Sequence, residues 1–439
     1  MRLRGRVPFA LVLLASLGCA ACREAPSSTD SNGRPQRLVL ITLDTLRWDA
    51  FAGGERGESA MPLLAARAEQ GVVFERHYAS SSTTQPTHAS LFTGRHPWEH
   101  GVIRNGVALT SEEPTIAEIL QEEGFWTAAA VASFPVTSRF RYDRGFDVFR
   151  EDFNRKYAGT WNEEKVDEGN FYRLGDAVSE AALQLITTAP AQDQFLWLHY
   201  FDPHSPYGDT GDKPITRKSH PGAFRNPDRI WEAYRLDVAA LDQNLDRVIG
   251  SLFEEDGFDT HVVLTADHGE SIGDNKSIGH GTRLNDAEIH VPLVVLSPAL
   301  SPARRSDPCG SVDVFATLLG LAGLDSSVLE AGHDLLAAGP SPQPVMGMRR
   351  IFVESERETL TNGSLRIISG HQFYVVESAR TVRGNERRIS VEGDPLGESA
   401  EAQYLELFGA LGRTLDSLEF DELIDDGTQK GLEALGYAR

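Results

Sequence analysis

The sequence predicts an α/β fold: a doubly wound, mostly parallel sheet flanked by helices, with a small C-terminal antiparallel sheet plus helix. Five apolar runs have the length of buried strands, three of these runs end in aspartate, and helical patterns separate them. Near-continuous apolar strands indicate a sheet covered on both faces. Alternating strands and helices favour parallel pairing. The 439 residues suffice for one large domain and an appendage.

The N-terminus is typical of an export signal, predicted to span residues 1–19. Arginines precede an apolar run that is too short to cross a bilayer. The stretch ASLGC resembles a bacterial lipobox and makes Cys19 the candidate lipidated residue, although a plain signal peptide that contains cysteine is the alternative. Residues 20–36 are predicted to form a flexible tether. We expect an exported protein, periplasmic or at the cell surface, anchored in the membrane by a lipid on Cys19.

The large domain is predicted to span residues 37–325. Strands are predicted from the apolar runs at 37–44, 126–133, 194–202, 261–267 and 291–297. Helices are predicted from the amphipathic patterns at 114–123 and 228–253. Ligands of such sheets bind beyond the carboxyl ends of the strands. Asp44, Asp202 and Asp267 should all lie at that edge. Each aspartate alone would be read as a helix N-cap, but three together favour a site.

Residues 326–439 are predicted to form a C-terminal subdomain. Polar and apolar positions alternate over residues 351–392, which indicates a small antiparallel sheet, and residues 398–435 have a helical pattern. Cys309 is the one cysteine in residues 37–439, so the fold needs no internal disulfide.

The charge of the chain limits its partners. A formal net charge of −22 at pH 7, with no long basic run, argues against a nucleic-acid partner. An anionic substrate would therefore need a local positive centre, such as a metal ion or a helix N-terminus.

Polar motifs follow the predicted strands. Asp267 and His268 are adjacent at a strand end, where both can reach one cation. His204 lies between two prolines just after another strand. His280 is flanked by glycines, so a ligand can approach the backbone closely. Each motif alone would be an ordinary turn with a surface histidine; their combination indicates a site.

The stretch SSTTQPTHASLFTG places Thr84 where a helix begins, because Pro86 suits a first helical turn. Backbone N–H groups there favour an anion. As an N-cap, Thr84 or Thr83 would contribute about 1 kcal/mol. As a nucleophile, the Thr84 hydroxyl would need activation, which a coordinated metal supplies by lowering its pKa.

Taken in order, these motifs resemble the sulfatase branch of the alkaline phosphatase superfamily. The matching segments, between residues 38 and 324, are LITLDTLRWD, TQPTHASLFTGRHPWEHGV, GFWTAAAVAS, HYFDPHSPY, TADHGE, GHG and VDVFATLLGLAGL. The resemblance implies an alkaline phosphatase-like fold and a metal-dependent ester hydrolase. It also implies that Asp44, Asp267 and His268 bind the metal and that Thr84 is both the nucleophile and a ligand.

The resemblance implies further catalytic roles. Asn105 lies where related phosphonate hydrolases have an asparagine that donates to a non-bridging oxygen. His204 matches the substrate-contacting histidine of sulfatases, and His280 lies where many relatives have an anion-binding lysine. Either histidine could protonate the leaving group. Asp202, His204 and His280 form the candidate set for a second metal, so the expectation is one or two ions.

Four departures from sulfatases lie in or beside this site. Thr84 replaces the Cys or Ser that becomes formylglycine, and oxidised threonine would be a methyl ketone, which hydrates poorly. His88 stands where sulfatases have an arginine, and Thr45 stands where they have a second aspartate. His268 stands where sulfatases often have an asparagine. A nitrogen ligand suits Zn²⁺ or Mn²⁺ better than Ca²⁺.

The departures predict a metal-dependent enzyme. It would hydrolyse esters of phosphoric acid, or of sulfuric acid, or would transfer phosphoryl groups. Its substrate would be a small anionic ester or a glycan- or lipid-linked one. One alternative is a sulfatase that acts without formylglycine. Another is an inactive binding lipoprotein, against which the complete ligand set argues.

Overall fold

The computed structural model describes residues 33–155, 160–161, 164–165, 171–209, 226–255, 257–281, 283–326 and 332–337, and five strands between 345 and 392. The predicted signal peptide with Cys19, most of the tether and the predicted helix at 398–435 lie outside the described residues. The domain boundaries read from the sequence stay predictions.

Among the described residues, fourteen strands precede the C-terminal subdomain. They are β1 (Gln36–Leu43), β2 (Val72–Phe74), β3 (His77–Tyr78), β4 (Trp126–Ala130), β5 (Val148–Arg150), β6 (Thr160–Trp161), β7 (Glu164–Lys165), β8 (Gln194–Tyr200), β9 (Asp259–Ala266), β10 (Ser271–Ile272), β11 (Ile278–Gly279), β12 (Leu293–Leu296), β13 (Ala303–Arg305) and β14 (Cys309–Gly310). Eight of them form the central sheet in the order β13-β2-β12-β9-β1-β8-β4-β5.

Two groups of helices enclose this sheet, with α2, α6 and α7 in one group and α3, α5 and α9 in the other. The described helices are α1 (Trp48–Ala52), α2 (Pro62–Ala68), α3 (Thr84–Thr93), α4 (Pro97–His100), α5 (Ile116–Glu122), α6 (Gly175–Thr188), α7 (Pro227–Glu254), α8 (Asp286–Ile289) and α9 (Ser311–Leu321). The helices predicted at 114–123 and 228–253 correspond to α5 and α7. No described helix has both the length and the apolar character needed to cross a bilayer.

The central strands confirm the predicted fold class. β1 pairs in parallel with both β8 and β9, and its residues from Arg37 to Leu43 are buried. Covering by helices on both faces explains why its sequence is nearly continuously apolar.

One predicted strand of the sheet runs in the opposite direction. β12 pairs antiparallel with both β9 and β2. Between β9 and β12 the described residues form the short β10–β11 hairpin and the four-residue helix α8. Because no described helix in this segment is long enough to return the chain to the opposite edge of the sheet, β12 enters from the edge at which β9 ended.

The C-terminal strands form the predicted antiparallel sheet. They are β15 (Val345–Met348), β16 (Phe352–Val353), β17 (Thr361–Ser369), β18 (Gln372–Thr381) and β19 (Gly384–Glu392). Each pairing among them is antiparallel.

Candidate metal centre and active site

Two carboxylates and one imidazole meet where β1 and β9 end. Leu43 pairs with Ala266, so the next residues, Asp44 and Asp267, are neighbours at the carboxyl edge. The Nε2 atom of His268 lies 3.7 Å from Asp44 Oδ1 and 3.7 Å from Asp267 Oδ2. One ligand atom from each of the three residues lies within 4.8 Å of the other two, and all three residues are buried.

The orientation of these groups suits a cation. Asp267 Oδ1 accepts hydrogen bonds from the backbone N–H groups of Thr45 and His268, and Oδ2 is buried without a hydrogen-bond partner. Both carboxylate oxygens of Asp44 are likewise buried without one. His268 donates its Nδ1–H to the Gly269 carbonyl at 2.9 Å, so Nε2 carries the lone pair that faces the carboxylates.

The pKa shifts of the two aspartates also favour a cation at this site. Burial raises the pKa of Asp44 well above its usual range, and repulsion from Asp267 and Glu270 adds to this shift. Burial also raises the pKa of Asp267 to about 7. Buried carboxylates without a compensating charge are costly, and a divalent cation would remove that cost. The donor set of two oxygens and one nitrogen therefore fits a divalent metal.

Thr84 contributes its hydroxyl to the same site. It lies in the first turn of α3, and its Oγ1 is 3.4 Å from His268 Nε2. The N-cap residue of α3 is Thr83, whose side chain makes no capping hydrogen bond and instead contacts the Ser81 hydroxyl at 3.0 Å. The Thr84 hydroxyl therefore faces the candidate metal ligands.

Asn105 lies against the same helical turn. Its Oδ1 accepts a hydrogen bond of 2.8 Å from the Gln85 backbone N–H, and its Nδ2 is buried without a hydrogen-bond partner. Gln85, which the sequence did not single out, fixes this arrangement, since its side chain donates to the Pro135 carbonyl and accepts from the Gly106 N–H. The Asn105 amide thus brings an unused donor to the Thr84 side of the site.

His204 and His280 complete the group of imidazoles. The His280 ring centroid lies 4.3 Å from that of His268 and 5.1 Å from that of His204. Burial lowers the pKa of His204. Burial acts in the same direction on His280, but the nearby carboxylates of Glu270, Glu288 and Asp267 together outweigh it and raise that pKa.

Asp202 does not join these histidines. Its Oδ1 accepts a hydrogen bond of 2.8 Å from the Gly175 N–H at the start of α6, and both carboxylate oxygens lie so close to Gly175 that a Cβ there would come within 3.0 Å. Within the described part of the chain, the one group of three acidic or histidine side chains close enough for a metal is Asp44, Asp267 and His268. Asp202, His204 and His280 do not form such a group; Asp202 instead directs Oδ1 to the first residue of α6, and its Oδ2 is buried without a hydrogen-bond partner.

Comparison with known proteins decides the family. A family model described as Sulfatase matches residues 36–324. The chain belongs to the sulfatase family. Enzymes of this family hydrolyse sulfuric or phosphoric esters with a divalent metal, so the chain is an ester hydrolase, and its buried Asp-Asp-His group can hold such an ion.

Several relatives illustrate the range of the sulfatase family. An ulvan-active sulfatase from Formosa agariphila is 24% identical over 415 residues, covering 87% of this chain and 78% of that protein. The phosphoethanolamine transferase EptA of Salmonella typhimurium is 28% identical over 166 residues, 33% of this chain and 30% of that one. The structure of a phosphonate monoester hydrolase from Silicibacter pomeroyi matches the fold with a TM-score of 0.60 at 19% identity, covering 88% of this chain and 96% of that chain.

His88, which stands where sulfatases usually have an arginine, has a structural role here. His88 is buried, donates its Nδ1–H to the Thr84 carbonyl at 2.9 Å, and contacts Thr42 Oγ1 through Nε2 at 3.1 Å. Burial lowers its pKa to about 4, so the ring is neutral at pH 7. His88 therefore supports the first turn of α3 as a neutral ring, and its Nδ1 lies 3.6 Å from Oδ2 of Asp267, a candidate metal ligand of this sulfatase-family site.

Arg47, three residues after Asp44, forms ion pairs away from the candidate metal ligands. Its guanidinium contacts Asp49 and Asp274, each at 2.6 Å, and donates to the Glu270 carbonyl. Those partners tie the segment after β1 to the segment after β9, so Arg47 stabilises the sulfatase-family site without facing it.

Proposed function

We propose that the protein cleaves phosphoric esters, by hydrolysis or by transfer to an acceptor alcohol, with the Thr84 hydroxyl as nucleophile. The observation that carries this proposal is the 3.4 Å approach of Thr84 Oγ1 to His268 Nε2, beside the carboxylates of Asp44 and Asp267. The Thr84 hydroxyl, in the first turn of α3, is thus turned toward a candidate metal ligand.

A divalent ion held by Asp44, Asp267 and His268 would act as a Lewis acid and lower the pKa of a neighbouring hydroxyl. The imidazole nitrogen of His268 favours Zn²⁺ or Mn²⁺ over Ca²⁺. One ion is proposed, since Asp44, Asp267 and His268 are the one group of three potential ligands that lie close together among the described residues.

The remaining roles belong to the polar groups around Thr84. The Thr84 hydroxyl would release its proton to solvent, and its oxygen would attack phosphorus in line as the bond from phosphorus to the leaving oxygen breaks. The Asn105 Nδ2–H donates to a non-bridging oxygen. His204 and His280 bind the other oxygens, an electrostatic contribution that is usually large. One of these two imidazoles protonates the leaving oxygen. Water or an alcohol then attacks the phosphothreonine and releases Thr84.

Phosphate is favoured over sulfate because Thr84 cannot provide the aldehyde hydrate on which sulfatases depend. The phosphonate monoester hydrolase and phosphoethanolamine transferase relatives support the same choice, since their names describe phosphorus chemistry. Sulfate-ester cleavage through Thr84 is the second candidate, because the ulvan-active sulfatase matches this chain over 78% of its own length. The complete ligand group argues against an inactive binding protein.

A panel of aryl esters tests this choice. We expect the purified protein to cleave p-nitrophenyl phosphate, bis-p-nitrophenyl phosphate or phenylphosphonate esters with a higher kcat/KM than p-nitrophenyl sulfate. A preference for the sulfate ester would instead support the second candidate. No turnover of any ester, together with no bound metal, would support a binding protein.

We further propose that the protein is exported and anchored by a lipid on Cys19, where it meets small anionic esters or glycan- or lipid-linked ones. The lipobox-like stretch before Cys19 supports this. A Cys19→Ser variant should move from the membrane to the soluble fraction of the cell envelope. An unchanged membrane fraction in that variant would refute the anchor.

A further inference from the structure

The Glu270 carboxylate links two loops that carry histidines of the active site. Glu270 is 1% exposed. Its Oε1 accepts a hydrogen bond of 3.1 Å from His280 Nδ1, and its Oε2 accepts one of 2.9 Å from the Tyr207 hydroxyl. Tyr207 belongs to the same short segment as His204. One buried side chain therefore contacts both loops, with a separate oxygen for each.

His280 needs such a contact because its own backbone does not fix it. Its neighbours Gly279 and Gly281 have φ angles of 110° and 80°, a region that glycine enters readily and other residues rarely. Glycines on both sides leave the backbone at His280 with few steric restraints of its own. The hydrogen bond to Glu270 restrains the ring and fixes which nitrogen meets that carboxylate: Nδ1 donates to Glu270, and Nε2 is the other ring nitrogen.

The position of the restrained ring matches this role. His280 lies between the rings of His268, a proposed metal ligand, and His204, a proposed substrate contact. A rotation of the His280 ring would therefore remove one of the groups that face the substrate oxygens. Partners that orient an active-site imidazole typically affect activity by about 10- to 100-fold.

We propose that Glu270 is a positioning residue that holds His280 and, through Tyr207, the His204 segment in the arrangement that binds the substrate oxygens. This inference rests on the proposed function. It concerns orientation: a neutral side chain with the same hydrogen-bonding geometry should replace Glu270.

The test compares Glu270→Ala with Glu270→Gln, using p-nitrophenyl phosphate and p-nitrophenyl sulfate. Glu270→Ala should lower kcat/KM by about 10- to 100-fold, mainly through kcat, with unchanged metal content and Tm. Glu270→Gln should recover most of that loss, because its carbonyl can accept from His280 and its amide can donate to the Tyr207 oxygen. Equal losses in the two variants would overturn the positioning role.

Glu288 provides the matched control. It is another buried glutamate of this region, but it accepts hydrogen bonds from the Ser271 hydroxyl and the Arg283 N–H. Glu288→Gln should retain wild-type activity, and a loss equal to that of Glu270→Ala would contradict a specific role for Glu270. If circular dichroism shows that Glu270→Ala does not fold, Tyr207→Phe replaces it. That variant should lower kcat in the same direction, and unchanged kinetics would overturn the inference.

A Thr84→Ala arm separates the two proposals. If Thr84→Ala is inactive and Glu270→Ala is fully active, the inference about Glu270 is refuted and the proposed function stands. An active Thr84→Ala refutes the proposed function, whatever Glu270→Ala shows.

Discussion

Thr84→Ala should lower kcat/KM for the preferred ester by about 10³-fold or more, the scale expected when a nucleophile is removed from a hydrolase. The reason is local: the Thr84 hydroxyl is the nucleophilic side chain that lies 3.4 Å from His268 Nε2. Steady-state kinetics on the purified variant measure the effect. Fold and metal content should largely survive, because the N-cap residue of α3 is Thr83 and the Asp44, Asp267 and His268 side chains are unchanged.

Thr84→Ser is the matched control for this prediction. Serine keeps the hydroxyl and removes only a methyl group, so the variant should retain much more activity than Thr84→Ala. Thr83→Ala is a second control, because the Thr83 hydroxyl contacts Ser81 and not the metal ligands. Full activity in Thr84→Ala would end the proposal that this residue is the nucleophile.

Removing the cation should have an effect of similar size. Asp267→Asn should lose the bound metal and lower kcat/KM by about 10³-fold or more, since Lewis-acid stabilisation is worth several kcal/mol and about 1.4 kcal/mol corresponds to tenfold in rate. Elemental analysis and kinetics measure the two effects together. Asp202→Asn is the control: it keeps an oxygen that can accept from Gly175, and it should retain one equivalent of metal.

The pH dependence of metal-free stability gives an independent measurement. Burial raises the folded-state pKa of Asp44, and that of Asp267 to about 7, above an unfolded value of about 4. In metal-free protein, the resulting stabilisation is present below pH 4 and is lost as pH rises toward 7. Metal binding replaces those protons, so the Tm difference between metal-loaded and chelator-treated protein should grow from pH 5 to pH 8. In Asp267→Asn, a chelator should leave Tm unchanged at either pH.

The sequence was enough to predict that the residues directly after two strands would lie together. β1 and β9 are continuous apolar runs followed by Asp44 and Asp267, and parallel neighbours place such residues side by side. The approach of Thr84 followed from Pro86, which marks the first turn of α3. Regular backbone geometry was sufficient in these cases because each prediction needed only the end of one element.

Residues that depend on contacts between loops could not be assigned in this way. Asp202 also follows an apolar strand, yet it caps α6, and nothing in its local sequence distinguishes it from Asp44. Glu270 stands in the DHGE motif, but its partners Tyr207 and His280 come from separate loops. The direction of β12 was likewise hidden, because it depends on the path of the chain from residue 267 to residue 292.

The most direct test of the central claim is mass spectrometry of acid-quenched protein during turnover of a phosphoric ester. The proposal predicts a phosphoryl group on the Thr84 side chain, absent from Thr84→Ala and from chelator-treated protein. A phosphoryl group on another side chain, with Thr84 unmodified, would contradict the claim that a cation held by Asp44, Asp267 and His268 activates this threonine.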